Sequence, residues 1–195
     1  MSFLAARALQ SLRVRANQVP IRKAQGFALI DLIFVCGIIG LLASIALPRF
    51  MMAKQSAGAA SAIGSMRAIN SAELTYALTC GSGFYAPNLT TLGTAPPGST
   101  EPFIGGGLGA ADTVVKSSYV VQVTAVAYAG APGSCNGVGL GMGGQGFVAT
   151  ADPADTSYPR FFATNANNVI FENPTSYVGI MPEVGEPGVG HMIVR

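Results

Sequence analysis

Between Phe27 and Leu47 the chain sets 21 residues in a row with a single charge among them, Asp31. No polar alternation divides them. As a helix rising 1.5 Å per residue they reach about 30 Å, the hydrocarbon thickness of a bilayer. From Arg49 to about Thr79 the pattern changes. Ala59, Ile63, Met66, Asn70, Leu74 and Ala77 recur at spacings of three and four, which places them on one helical face, with Lys54, Arg67 and Glu73 at its margins. The two patterns predict one long helix, apolar over 27–48 and amphipathic over 49–80. Cys80-Gly81 is its expected end, with the glycine as terminator.

Residues 81–117 lose all periodicity. Gly, Pro, Ser and Thr dominate, and a long loop is expected. Valine-rich segments follow. Strands are predicted over 118–128, 146–151, 159–164 and 169–172. Asn167-Asn168 suits a tight hairpin between the last two, because Asn tolerates positive φ. Short connections imply an antiparallel meander over 118–173, and a Pro- and Gly-rich tail over 174–195 either wraps the sheet or hangs loose. The expected class is α+β, with a long N-terminal helix, its first half membrane-spanning, packed on a small antiparallel sheet.

Charge sharpens this picture. Residues 1–26 hold Arg7, Arg13, Arg15, Arg22 and Lys23 and no acid. The remainder keeps six of the 11 basic residues against all nine acids, a formal charge of −3. A basic leader beside an apolar stretch holds that end in the cytoplasm, so the rest is expected across the membrane. The mildly acidic remainder lacks the clustered basic residues of a nucleic-acid footprint. Cys36 lies inside the apolar stretch and reads as a small packing residue. Cys80 and Cys135 lie beyond it and, outside the cytosol, are expected to pair.

The apolar stretch admits three readings. Ser44-Ile45-Ala46 would serve as a signal-peptidase site, but the stretch is longer than a signal's h-region and carries an acid. A plain anchor fits the length. In that reading Asp31 sits near the headgroups and complements the helix N-terminus. In the third reading the acid is kept to meet a buried positive charge. Gly26-Phe27-Ala28-Leu29-Ile30-Asp31-Leu32, followed by the apolar run, resembles the type IV prepilin signature. Gly40, Pro48 and the Pro48-Arg49-Phe50 segment match that family in register. Ala28 stands where the family has Thr or Ser, and Asp31 where it has Glu. The likeness covers about 26–80.

The resemblance implies a leader, 1–26, removed by a membrane prepilin peptidase between Gly26 and Phe27, with N-methylation of Phe27. It implies that Asp31 neutralises the amino terminus of a neighbouring subunit and that the segment from the glycine to the proline melts when the filament forms; Pro48, which breaks the hydrogen-bond ladder, is itself expected to kink the helix. Two opposite charges attract strongly in low dielectric, whereas either alone is costly to bury. The implied function is a structural pilin, a homo-oligomer handled by the pilus assembly machinery. It would be single-pass in the inner membrane before assembly and then sit on a pilus at the cell surface or in the periplasm. A pseudopilin of type II secretion is the alternative, and a membrane-anchored or secreted binding domain with an ordinary signal is a second.

No residue pattern suggests a catalyst, cofactor or metal centre. Gly139-Leu140-Gly141-Met142-Gly143-Gly144 satisfies the dinucleotide fingerprint, but a strand is expected to follow it, not a helix. His191 is the single histidine and has no nucleophile or acid informatively placed beside it. Asp152 and Asp155 read as solvated turn acids without the spaced oxygen ligands of a calcium loop. Asn88-Leu89-Thr90 fits the glycosylation sequon, a short and common pattern.

Overall fold

A computed structural model of the chain describes residues 29–194. Contacts divide the chain into two compact units, Met1–Ala46 and Leu47–Arg195. Helix α1, Leu29–Thr79, supplies the described part of the first unit and the opening 33 residues of the second, Leu47–Thr79. The expected long helix is therefore present, with Pro48 inside it.

In the second unit α1 packs on a six-stranded sheet ordered β1-β2-β3-β4-β5-β6, every neighbouring pair antiparallel. The strands are β1 Thr113–Lys116, β2 Tyr119–Thr124, β3 Val148–Pro153, β4 Phe161–Asn165, β5 Ile170–Asn173 and β6 His191–Val194. The architecture is α+β, as the alternation of apolar periods implied.

Two expectations are corrected. The stretch 81–117 is not a plain loop: it contains helix α2, Leu89–Leu92, a 3-10 turn at Leu108–Ala110 and β1. Leu89, Leu92 and Leu108 are all buried, so its apolar residues pay into the core although Gly and Pro hide any period. The sheet also exceeds 118–173 at both ends, because β1 pairs with β2 and the tail returns as β6 beside β5. β1 joins β2 through Ser117-Ser118, both at positive φ (50° and 68°), and such a two-residue turn closes a hairpin without Gly or Asn. The β4–β5 hairpin turns as expected, with Asn168 at φ 59°.

The expected helix face holds at Ala59, Met66, Asn70 and Ala77, with Ile63 partly buried against the core, and departs at Leu74. Ala59, Ala62, Met66, Ile69, Ala72 and Tyr76 are buried against Tyr119, Val121, Val123, Ala149, Ala151, Phe162 and Ile170 of the sheet. Leu74 is exposed instead, and Glu73 is fully buried. On this face Tyr76 stands edge-on to Phe103, 5.3 Å between ring centroids. Each large core side chain here contributes about 1.5–3 kcal/mol of burial. The opposite sheet face is covered by the tail, where Tyr177 and Met181 pack on Ala163 and Phe171.

The helix stops at Thr79 for a spatial reason. The amides of Cys80 and Gly81 both reach the Tyr76 carbonyl (2.9 and 2.8 Å), and the Phe84 amide folds back on the Gly81 carbonyl at 3.0 Å. A Cβ on Gly81 would lie 2.1 Å from the Phe84 oxygen. Glycine at 81 thus serves close approach, while the left-handed positions are Ser82 and Gly83 (φ 53° and 92°).

Candidate functional site

The apolar half of α1 is the first candidate. Leu29, Ile30, Leu32, Ile33, Phe34, Leu41, Leu42 and Ile45 are each at least 59% exposed. This part of the helix is long and apolar enough to cross a membrane. A helix bonds most of its backbone polar groups internally, the condition for any spanning segment, although Pro48 brings no N–H for the Ser44 carbonyl. The Ser44 hydroxyl is also satisfied, donating to the Leu41 carbonyl at 2.7 Å. Asp31 stands in the first turn as described, the position at which a carboxylate complements the helix dipole. Cys36 is free and exposed. Gly37 and Gly40 have nothing within 4 Å of where a Cβ would stand. Gly26 and Phe27, the expected cleavage and methylation positions, lie outside the described residues together with the leader.

In the second unit Cys80 and Cys135 form the expected disulfide, their Cα atoms 4.9 Å apart. The Cys135 amide donates to the Cys80 carbonyl at 3.1 Å, so backbone and side chain tie the same two points. The bond fastens the loop between β2 and β3 to the end of α1. Asn136 continues the stitching, donating to the carbonyls of Thr91 and Thr94 at 2.8 and 3.1 Å.

Two polar features were not legible in the chain. Glu73 has no exposed surface, accepts from the Ala86 amide at 2.9 Å through Oε2, and leaves Oε1 without a partner. Burial pushes its carboxyl up to about 8, against the smaller lowering effect of the Ala86 amide. A shift of that size means that the site favours the neutral form by about 5 kcal/mol relative to water. Helical spacing carried a signal, since Glu73 is seven residues after Met66 and three before Tyr76; its charge concealed it. The second feature joins strands. Arg160 donates from Nε and Nη2 to both carboxylate oxygens of Glu172 (2.5 and 2.7 Å) and lies 5.2 Å above the Phe162 ring. Arg160 holds the Glu172 carboxyl below its usual range, first by hydrogen bonding, with its charge and that of His191 adding to the effect.

The remaining sequence candidates are placed individually. The glycines of 139–144 sit in the β2–β3 loop, and Gly144 exchanges two backbone hydrogen bonds with Tyr85 (2.9 and 3.1 Å). A strand, β3, follows them. His191 opens edge strand β6, its Nε2 3.9 Å from Glu172 Oε2. Asp155 accepts from the Ser157 amide at 2.9 Å, as a turn acid does, whereas Asp152 is in β3 and accepts from the Ser176 hydroxyl. Asn88 caps α2, its Oδ1 accepting from the Thr91 amide at 3.0 Å. Among the described residues no group of three or more His, Cys, Asp or Glu side chains is arranged to hold a metal. A cleft of about 200 Å³ lies between Met52, Gln55, Ser56, Tyr119, Tyr158 and Arg160. Its polar groups are largely engaged already: Gln55 donates to the Ser157 carbonyl at 2.8 Å and the Tyr119 hydroxyl to that of Arg160 at 3.1 Å.

Comparison with protein-family models, with curated proteins and with solved structures finds no match to this chain.

Proposed function

We propose that this chain is a type IV pilin-like structural subunit, held first in a membrane and then in a filament by the apolar half of α1. The observation that carries the reading is the uncovered apolar segment from Leu29 onward, with Asp31 in its first turn, on a helix whose second half has its own folded sheet. Side chains so apolar and so exposed need a cover. A bilayer provides one before assembly, and the same segments of neighbouring copies provide another afterwards.

The prepilin-like residues around Gly26 and Phe27 support the assembly half of the proposal. In it the basic leader stays in the cytoplasm, a prepilin peptidase cuts before Phe27, and the new terminus is methylated. Asp31 then neutralises the amino terminus of an adjacent subunit, Pro48 loosens the helix, and the disulfide-bonded sheet faces outward. The chain is in this reading a substrate of the peptidase and a structural partner of the assembly machinery, with no reaction of its own.

Sequencing the mature N-terminus tests it. A start at an N-methylated Phe27 is expected. A start at Leu47, after Ser44-Ile45-Ala46, would overturn the reading in favour of an ordinary secreted domain. Imaging of surface filaments after deletion then separates a pilus subunit, whose loss removes them, from a secretion pseudopilin, whose loss leaves them.

A further inference from the structure

Glu73 is a carboxyl placed where a carboxylate is poorly supported. It has no exposed surface, one hydrogen bond and one oxygen without a partner. Among the described residues no Lys, Arg or His nitrogen lies within 4.0 Å of it. The phenols near it in the chain are Tyr76, one turn on along α1, and Tyr85, beside Ala86 in the segment that it holds. Tyr76 is itself pushed up, mainly by burial, with Ser134 acting the other way and Glu73 adding to the rise. Neither phenol brings a positive charge. An ionised carboxyl is stabilised by opposite charge, by several donors or by water, and here a single amide is available.

What the carboxyl holds is a junction. Ala86 lies beyond the tight turn that ends α1, in which Gly83 donates to the Ala77 carbonyl at 2.8 Å. Tyr85, next to it, is bridged to Gly144, and Gly144 belongs to the loop that the disulfide anchors. That loop carries Val126, Tyr128, Leu140 and Met142, all exposed. Helix, turn and loop thus meet at one protonatable contact.

We propose that Glu73 is a pH-sensitive latch: its neutral carboxyl holds the 84–86 segment against α1, and deprotonation releases that segment and loosens the Tyr85–Gly144 bridge. The direction follows from linkage. With the latch closed the carboxyl titrates near 8, and in an opened, solvated segment near its ordinary 4.5. Opening therefore becomes easier as pH rises from 4.5 to 8 and changes no further above that.

Hydrogen exchange of the full chain in detergent micelles, wild type against Glu73→Gln at matched pH, tests this. Gln keeps an acceptor for the Ala86 amide and does not titrate. The ratio of wild-type to variant exchange over 84–86 is expected to climb by up to about tenfold per pH unit between 5 and 8 and then level. Peptides from β3 and β4, where they exchange by global unfolding, share this linkage but are expected to exchange more slowly than 84–86 at every pH. A ratio independent of pH, or exchange over 84–86 no faster than in the sheet, would overturn the proposal. Should Glu73→Gln fail to fold, the wild-type protection factor over 84–86 is expected to fall over the same pH range, and a constant factor is equally fatal.

Discussion

The hydroxyl of Thr164 on β4 donates a 3.0 Å hydrogen bond to Oδ1 of Asn70 in the amphipathic half of α1, and both side chains are buried. This polar contact crosses the helix–sheet core and ties residues 94 apart in sequence. Asn70→Ala leaves the Thr164 hydroxyl buried and unpaired, at an expected cost of about 1–3 kcal/mol. The double variant Asn70→Ala with Thr164→Val removes both partners, and beside the two single variants it is expected to recover part of that loss. Chemical denaturation of the four proteins in a double-mutant cycle checks the coupling, and strict additivity would mean the hydrogen bond adds nothing.

Gly58 and Gly64 are expected to respond in opposite directions. A Cβ at 58 would stand 3.0 Å from the Tyr158 ring and 3.1 Å from the Ser117 carbonyl, whereas nothing lies within 4 Å at 64. The left-handed Ser117-Ser118 turn is pinned here, with Ser61 donating to the Ser117 hydroxyl at 2.8 Å and Ala154 donating to the Ser118 carbonyl at 2.9 Å. Gly58→Val is expected to destabilise by about 1–3 kcal/mol through overpacking. Gly64→Ala should stabilise by up to about 1 kcal/mol through helix propensity. Thermal melts of both variants read the signs.

The disulfide makes thiol chemistry selective. The unfolded, unreduced chain is expected to titrate one thiol, Cys36, and three after reduction. Reduction should cost about 4 kcal/mol in the chain-entropy account of a loop this long. Three thiols before reduction would remove the bond.

The Arg160–Glu172 pair governs part of the acid limb of stability. Glu172 is held below its ordinary value in the folded state, so its contribution is present above the ordinary carboxylate value and is lost as pH falls through the folded one. Arg160 is 42% exposed, so screening limits the effect, and Arg160→Ala is expected to cost about 1 kcal/mol or less at pH 7 and nothing at strongly acid pH. An equal loss at both pH values would instead assign the effect to packing of the guanidinium on Phe162.

For assembly, Asp31→Ala is expected to leave membrane insertion intact and to abolish filaments. Asp31→Glu, longer by about 1.5 Å, is expected to retain them. Membrane fractionation and electron microscopy separate the two readouts. Normal filaments from Asp31→Ala would show that the acid is dispensable for polymerisation.

Periodicity alone carried the long helix, the antiparallel sheet of Val-rich strands and the Asn168 turn, because these follow from side-chain spacing and backbone preference over a few neighbouring residues. Cysteine position carried the disulfide. Strand ends were less legible. The segment predicted over 118–128 begins at Tyr119 because Ser118 belongs to the turn, and it ends at Thr124, two residues before the Val126 amide meets the Glu183 carboxylate. β1 and β6 lie in Gly- and Pro-rich stretches that mask any period, and they pair with the edges that β2 and β5 offer.

The apolar run from Phe27 to Leu47, with its one acid, was determined by the sequence itself: composition decides whether a segment needs a cover, and no tertiary contact is required to see it. The rotation of the amphipathic half was decided only in three dimensions. Six positions at helical spacing define a face to within a residue or so, but the sheet chose Ile69 and Tyr76 over Leu74, and took Glu73 with them. Helical spacing put that carboxyl beside the buried face, and only the packing of the sheet and the 84–86 segment put it inside.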